Sequence, residues 1–404
     1  MLHRTTPPIA PVALTLTLAL LFAACTGARG GAAAGAQDAD TGSSDVAHPA
    51  DAEADVTEGP LPLIATDGDA LRPSLEGDLL ALLTIDAGGT QCLSQPWNAE
   101  CVARVRLLNV TDGSPIYSST DVYAASVPLL EDQVLYWTGS DNRLRYHEVG
   151  GPGIVQPLLD HQDFYGIQAP VLVREGGVYW YAYDYGSGTS AFHRYDVSSG
   201  TVTRVHAAQH DWPWFMSELG APIGPQFDVA DEHVVWVHYQ AYGDTWHYRL
   251  LRGAPGGDAT PEPLPTGDVN CIWPRISGDW VYYLWFIQDQ WECSQLKCIY
   301  HLSRVHLVTG EVEEIGDEDA RITGLYPPLL WEGGAGWIDF RDGTYQVVLR
   351  PEGGEPVAVT PPERPVGLFS GVDLVSLDDG SLRVLWSTLF DGRLQIFAED
   401  WDGR

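Results

Sequence analysis

The residues of this chain best suited to chemistry or recognition are aromatic rings interleaved with carboxylates and imidazoles. His161, Asp163, Phe164 and Tyr165 form one group, Tyr183, Asp184 and Tyr185 a second, and His210, Asp211, Trp212, Trp214 and Phe215 a third. Tyr239, Tyr242, Asp244, Trp246 and His247 follow, then Trp273 with Arg275, then Asp289, Trp291 and Glu292, and last Tyr326. Flat apolar rings with a few polar neighbours suit the binding of peptide side chains or sugar rings, because the ring buries area while the polar group fixes orientation.

A catalytic reading would need a nucleophile, an acid–base pair or a metal. His161, His206, His210 and His247 are conceivable ligands, but their spacing matches no ligand motif. Carboxylate pairs of the glycosidase kind arise by chance in so acidic a chain. Gly186-Ser187-Gly188 reads as a hairpin turn, and no Gly-x-Ser-x-Gly nucleophile elbow is present. No catalytic residue and no cofactor are assigned, although the acidic loops could collect a divalent cation.

Apart from Cys25, the cysteines are Cys92, Cys101, Cys271, Cys293 and Cys298. Cys92 with Cys101, and Cys293 with Cys298, flank short loops between expected strands, and an exported chain can oxidise such pairs. Cys271 is left over. A bridge from it to Cys293 or Cys298 is a second arrangement, and a zinc site built from these three with a histidine lacks any Cys-x-x-Cys knuckle.

The formal charge is −33, and Lys297 is the lone lysine. That balance excludes a nucleic-acid partner, since phosphate binding needs a basic footprint. It suits a solvated surface outside the cytoplasm.

Residues 1–24 read as an export signal, with His3 and Arg4 before an apolar run from Ile9 to Ala24. The run ends Leu21-Phe22-Ala23-Ala24-Cys25, which resembles the lipobox of bacterial lipoproteins. The resemblance implies that Cys25 is lipidated and becomes the mature N-terminus, anchoring the protein without a spanning helix. Phe22 stands where leucine is commonest. Thr26 after the cysteine is compatible, by the same resemblance, with sorting to an outer membrane. Residues 25–60 are rich in Ala, Gly and Asp and lack aromatic residues. They are expected to form a disordered tether of roughly 30 to 35 Å root-mean-square span.

What must position the aromatic groups is a repeated strand phrase. Gly177-Val178-Tyr179-Trp180-Tyr181-Ala182-Tyr183-Asp184 recurs in altered form seven times, aligned on Leu80, Val134, Val178, Val234, Val281, Gly336 and Val384 at spacings of about 44 to 56 residues. Each copy carries a second hairpin, such as Arg194 to Val202 or Val305 to Val312, which makes four strands per repeat. The last repeat stops one strand short, and Leu61-Pro62-Leu63-Ile64-Ala65-Thr66 supplies an outer strand. The expected fold is therefore all-β over residues 61–404: a seven-bladed β-propeller of four-stranded antiparallel blades, closed by an N-terminal strand that completes the last blade.

Thr66-Asp67-Gly68-Asp69-Ala70-Leu71-Arg72-Pro73-Ser74-Leu75-Glu76-Gly77-Asp78 resembles the repeat junction of TolB-type propellers, where an outer strand and acidic loop lead into a proline-led inner strand. Most copies here lack that family's Ser-Pro-Asp-Gly turn. Some seven-bladed propellers are polyuronate lyases with a histidine-based metal centre, so two functional classes stand beside each other. The first is a lipid-anchored protein-recognition or scaffolding module of the cell envelope, with a protein or carbohydrate partner. The second is a carbohydrate-active lyase or hydrolase using the loop-lined mouth, and a purely structural surface protein is a third reading.

Overall fold

The computed structural model describes residues 62–64, 66, 68–87, 101–119, 122, 127–139, 144–151, 156–157, 172–174, 176–184, 189–208, 226–230, 233–242, 245–254, 260–287, 299–317, 319–367 and 371–403. They form antiparallel sheets that follow one another along the chain as blades of a propeller, with no helix among them. Blade 1 comprises β1 (Asp69–Glu76), β2 (Leu79–Ala87), β3 (Val102–Asn109) and β4 (Pro115–Ser119). Blade 2 comprises β5 (Leu129–Glu131), β6 (Val134–Thr138), β7 (Leu144–Glu148) and β8 (Gln156–Pro157). Blade 3 is β9 (Leu172–Arg174), β10 (Gly177–Asp184), β11 (Thr189–Asp196) and β12 (Thr201–Ala208). Blade 4 is β13 (Phe227–Ala230), β14 (His233–Tyr242), β15 (Thr245–Gly253) and β16 (Glu262–Pro263). In blade 5 these are β17 (Asn270–Ser277), β18 (Trp280–Phe286), β19 (His301–His306) and β20 (Val312–Glu314). Blade 6 holds β21 (Leu329–Trp331), β22 (Gly334–Arg341), β23 (Thr344–Pro351) and β24 (Val357–Ala358), and blade 7 holds β25 (Val372–Ser376), β26 (Leu382–Phe390) and β27 (Arg393–Trp401).

Burial follows position within the blade. Second strands lie between neighbouring blades on both faces, so they read as near-continuous apolar runs; β18, Trp-Val-Tyr-Tyr-Leu-Trp-Phe, is buried at five of its seven positions. Fourth strands sit at the rim, and all three residues of β20 are exposed. The repeated phrase shows the two-sided packing directly. Val178 and Trp180 pack with Tyr136 and Leu144 of blade 2, whereas Tyr179 between them joins Phe192, Phe227 and Trp236 on the blade 4 side. A hydrophobic cluster of this kind fills each interface, including that between blade 7 and blade 1.

The ring is closed by the N-terminal strand. Ile64 pairs antiparallel with Ile396 of β27, and Leu63 N donates to Ile396 O at 2.9 Å. Thr66 N donates to Gln395 Oε1 at 3.0 Å, and Leu394 N to Asp69 Oδ1 at 2.9 Å, so side chains continue the seam where the backbone ladder stops. Because β27 runs from its hairpin with β26 towards Trp401, the antiparallel segment enters from the opposite end, where first and second strands turn. Its apolar anchor, Ile64, is buried against Leu80, Leu82, Leu385 and Ile396.

Truncating that anchor tests the closure. Ile64→Ala should lower the free energy of unfolding by about 2–4 kcal/mol, as for other buried aliphatic truncations. Val357→Ala, on an exposed rim strand, should change it by less than about 0.5 kcal/mol. Urea denaturation of the two variants beside the parent checks both figures.

Candidate functional site

The first strand of each blade is a sheet edge facing the channel, and its outward N–H groups need acceptors from elsewhere. Neighbouring blades supply them to β1, β5 and β17. Asp228 of β13 accepts from Ile276 N of β17 at 2.6 Å through Oδ2 and from its own neighbour Val229 N at 2.9 Å through Oδ1. Asp373 of β25 repeats this arrangement: Leu75 N of β1 donates to Oδ2 at 2.8 Å and Leu374 N to Oδ1 at 3.0 Å. Ser74 Oγ does the same for Leu130 N of β5 at 3.1 Å.

The two receiving strands share a local sequence. Leu71-Arg72-Pro73-Ser74-Leu75 in β1 corresponds to Ile272-Trp273-Pro274-Arg275-Ile276 in β17, and the ladder to the second strand slips at both. Proline cannot donate, and the residue before it takes a left-handed conformation, with φ of 54° at Arg72 and 56° at Trp273. Both are fully buried. Trp273 N donates to Gln226 Oε1 at 2.9 Å and its Nε1 to Gly324 O at 2.7 Å, which holds the strained residue in place.

Around Asp228 the channel wall carries charge. Arg174 Nη1 lies 3.4 Å from the Asp228 carboxylate and donates to Val229 O at 3.1 Å, while its Nη2 reaches Ile276 O at 3.4 Å. One guanidinium thus ties the inner strands of blades 3, 4 and 5. Burial pushes the Asp228 carboxyl up, opposed by the nearby Arg275 and Arg174 charges, and burial pushes Arg275 down. Burial moves the Asp373 pKa up to about 6 despite the two backbone donors.

The sequence-derived candidates divide into three groups. Tyr183 and Asp184 end β10, Tyr242 ends β14, and Trp246 and His247 open β15, so the register places all five at the second-to-third-strand hairpins of adjacent blades. Trp273 and Tyr326 correct the expectation of an open face. Both are buried, Tyr326 donating its hydroxyl to Gly367 O, because the adjoining blades close over them. Arg275 likewise belongs to the inner-strand cluster, not to an outer rim. His161, Asp163, Phe164, Tyr165, Tyr185, His210, Asp211, Trp212, Trp214, Phe215, Asp244, Asp289, Trp291 and Glu292 lie outside the described residues.

Cys271 supplies a second correction. It is a free thiol, fully buried in β17 among Val235, Leu264 and Tyr283, and burial pushes its pKa up to about 12. A bridge from it to Cys293 or Cys298 is therefore not formed. Cys92, Cys293 and Cys298 lie outside the described residues, and among those described no group of three or more His, Cys, Asp or Glu side chains could hold a metal.

Sequence reasoning missed Asp228, Asp373 and Arg174. The signal was present in Phe227-Asp228-Val229 and Val372-Asp373-Leu374, where a carboxylate interrupts an otherwise apolar inner strand.

No family model matches the chain, and no curated protein matches it. Solved structures show the fold. The β-propeller domain of the Trilobed protease from Pyrococcus furiosus aligns at TM-score 0.56 and 12% identity, over 83% of this chain and 94% of that one. An acylaminoacyl peptidase from Pyrococcus horikoshii aligns at TM-score 0.57 and 12% identity over 83% of this chain, which spans about half of it (52%). An oligogalacturonate lyase in complex with manganese aligns at TM-score 0.57 and 10% identity, over 85% of this chain and 93% of that one. TolB from Acinetobacter baumannii aligns at TM-score 0.40 and 11% identity, a likeness too loose to carry argument.

The raised pKa of Asp373 fixes the sign of a pH effect. In the unfolded chain the carboxyl titrates near its ordinary value, and in the folded one near 6. The native state therefore holds the extra proton between these values, and this group's contribution to stability is greatest below about pH 4 and is lost as pH rises through 6. Denaturant titrations of the parent and Asp373→Asn at pH 4 and pH 7 should show the parent's advantage shrinking by on the order of 2 kcal/mol at the higher pH. An advantage that grows with pH would contradict the assignment.

Proposed function

We propose that this chain is a lipid-anchored β-propeller of the cell envelope, exported by residues 1–24, lipidated at Cys25 and held by a tether at the membrane, where it recognises a protein partner or scaffolds an assembly. The observation that carries this reading is the direction of the closing strand. Leu63 and Ile64 enter blade 7 at the end where first and second strands turn. A tether attached there leaves the opposite end, with the hairpins bearing Tyr183, Asp184, Tyr242, Trp246 and His247, turned away from the membrane. The acidic surface supports exposure to solvent, and the absence of a basic footprint speaks against nucleic acid. In an oxidising compartment Cys92 would pair with Cys101, and Cys293 with Cys298; that Cys101 is not a free thiol supports the first pair.

A carbohydrate-active enzyme is the second reading, favoured by the alignment that takes in 93% of an oligogalacturonate lyase bound to manganese. A divalent cation would then be held by residues outside the described set, with His161 and His210 as candidates. Release of unsaturated product from polygalacturonate in the presence of manganese would decide for this reading.

Two outcomes test the proposal itself. Expressed in a bacterial host, the parent should partition with membranes and incorporate labelled fatty acid, whereas Cys25→Ala should incorporate none. Capture of an envelope partner by the propeller should be lost with Trp212→Ala and Trp246→Ala. Unchanged capture by both variants would remove the hairpin end from consideration.

A further inference from the structure

Blade 1 carries a cleft of about 440 Å³ lined by Gly68, Asp86, Arg104, Arg106 and Ser118. Its position follows from strand alternation. Val105 points into the cluster shared with blade 2, so Arg104 and Arg106 on either side of it face the other way, towards blade 7. Their cross-strand partners in β2 are Thr84 and Leu82, and Leu82 packs against Leu385 and Ile396. Ser118 lies opposite Arg106 on β4. The cleft therefore adjoins the seam where the ring closes, and Gly68 in its wall directly follows the closing segment.

Its wall carries both signs of charge. Arg104 Nε donates to Asp86 Oδ2, and Arg106 Nη2 stands 3.5 Å from Asp86 Oδ1. Among the lining residues two guanidiniums share one carboxylate, in a protein of net charge −33. Asp86 orients both arginines without neutralising both. Arg106 Nε is buried and has no hydrogen-bond partner among the described residues, a donor left over in a wall that already has its acceptor engaged. Gly68 permits the approach: a Cβ there would stand 2.7 Å from Ile85 O and 3.2 Å from Asp86 Oδ1, displacing the carboxylate that sets the pair.

We propose that this seam cleft binds the oxyanion group, phosphate or carboxylate, of a small ligand. Paired guanidiniums present forked donors matched to such oxygens, and the Ser118 hydroxyl adds a neutral donor at the rim. The site lies at the second-to-third-strand end of blade 1, on a different blade from the hairpins of blades 3 and 4 invoked for partner recognition, and does not depend on them. Since it lies beside the seam, an occupant that binds only the folded ring raises the ring's stability by mass action.

The test uses the full chain at fixed ionic strength, with inorganic phosphate and succinate as probes and chloride as the control. Saturable phosphate binding by ³¹P NMR titration, or a saturable rise in melting temperature with either probe above the chloride control, is the expected result. Phosphate alone acting would assign a phosphate group, and succinate alone a carboxylate. Arg104→Gln and Arg106→Gln should each weaken binding by about tenfold or more, the loss expected for a charge-assisted hydrogen bond. Ser118→Ala, which leaves both ion pairs intact, should weaken it less and keeps the test readable if an arginine variant fails to fold. Absence of saturable binding, or equal affinity in all three variants, would overturn the proposal.

Discussion

Every blade of a propeller leaves one strand edge unpaired towards the channel, and the N–H groups on that edge must find acceptors or be lost to solvent. In this chain neighbouring blades provide them to β1, β5 and β17. Asp228 reaches from blade 4 to Ile276 of blade 5, Asp373 from blade 7 to Leu75 of blade 1, and Ser74 from blade 1 to Leu130 of blade 2. Each carboxylate also accepts from the residue after it, so both oxygens are engaged. The side chain is buried as a consequence, and burial raises both pKa values. A structural demand of the ring thus produces titrating groups inside an otherwise apolar wall.

The same demand recurs at the closing seam, where the segment leading into β1 must pair with β27 from the far end of the sequence. Backbone pairing of Leu63 and Ile64 with Ile396 covers only part of β27, and Gln395 and Asp69 complete it with side-chain hydrogen bonds. Asp373 acts at this junction, and the arginine cleft opens beside it. The seam thereby combines the hydrogen bonds that hold the ring shut with the paired arginines of blade 1. The hairpins of blades 3 and 4 that carry Tyr183, Asp184, Tyr242, Trp246 and His247 belong to other blades, and Leu63 and Ile64 enter blade 7 from the end where first and second strands turn.

Much of this architecture was legible in the sequence because it rests on local pattern. Apolar, aromatic runs in phrases such as Gly177 to Asp184 give the second strands, and turns such as Glu76-Gly77-Asp78 and Ser277-Gly278-Asp279 punctuate them, Gly77 and Gly278 taking positive φ. A final repeat one strand short pointed to closure by the segment around Ile64. What local pattern cannot show is which side chains a neighbouring blade will cover. Trp273 and Tyr326 looked like surface aromatics, yet Gly324 and Gly367, 51 and 41 positions further along the chain, accept from their polar atoms. Cys271 looked like a bridging cysteine for the same reason. Asp228 and Asp373 interrupt apolar inner strands, but their amide donors come from the next inner strand, which local pattern does not show.

Native-state hydrogen exchange at single-amide resolution tests the central claim, that inner-strand acceptors and the N-terminal strand lock seven blades into one cooperative ring. The amides of Leu63, Leu75 and Ile276 should exchange only through global opening, with the same protection and denaturant dependence as Val281 in the middle of blade 5. Exchange of Leu63 and Leu75 through a separate, lower-energy opening while Val281 stays protected would contradict the account.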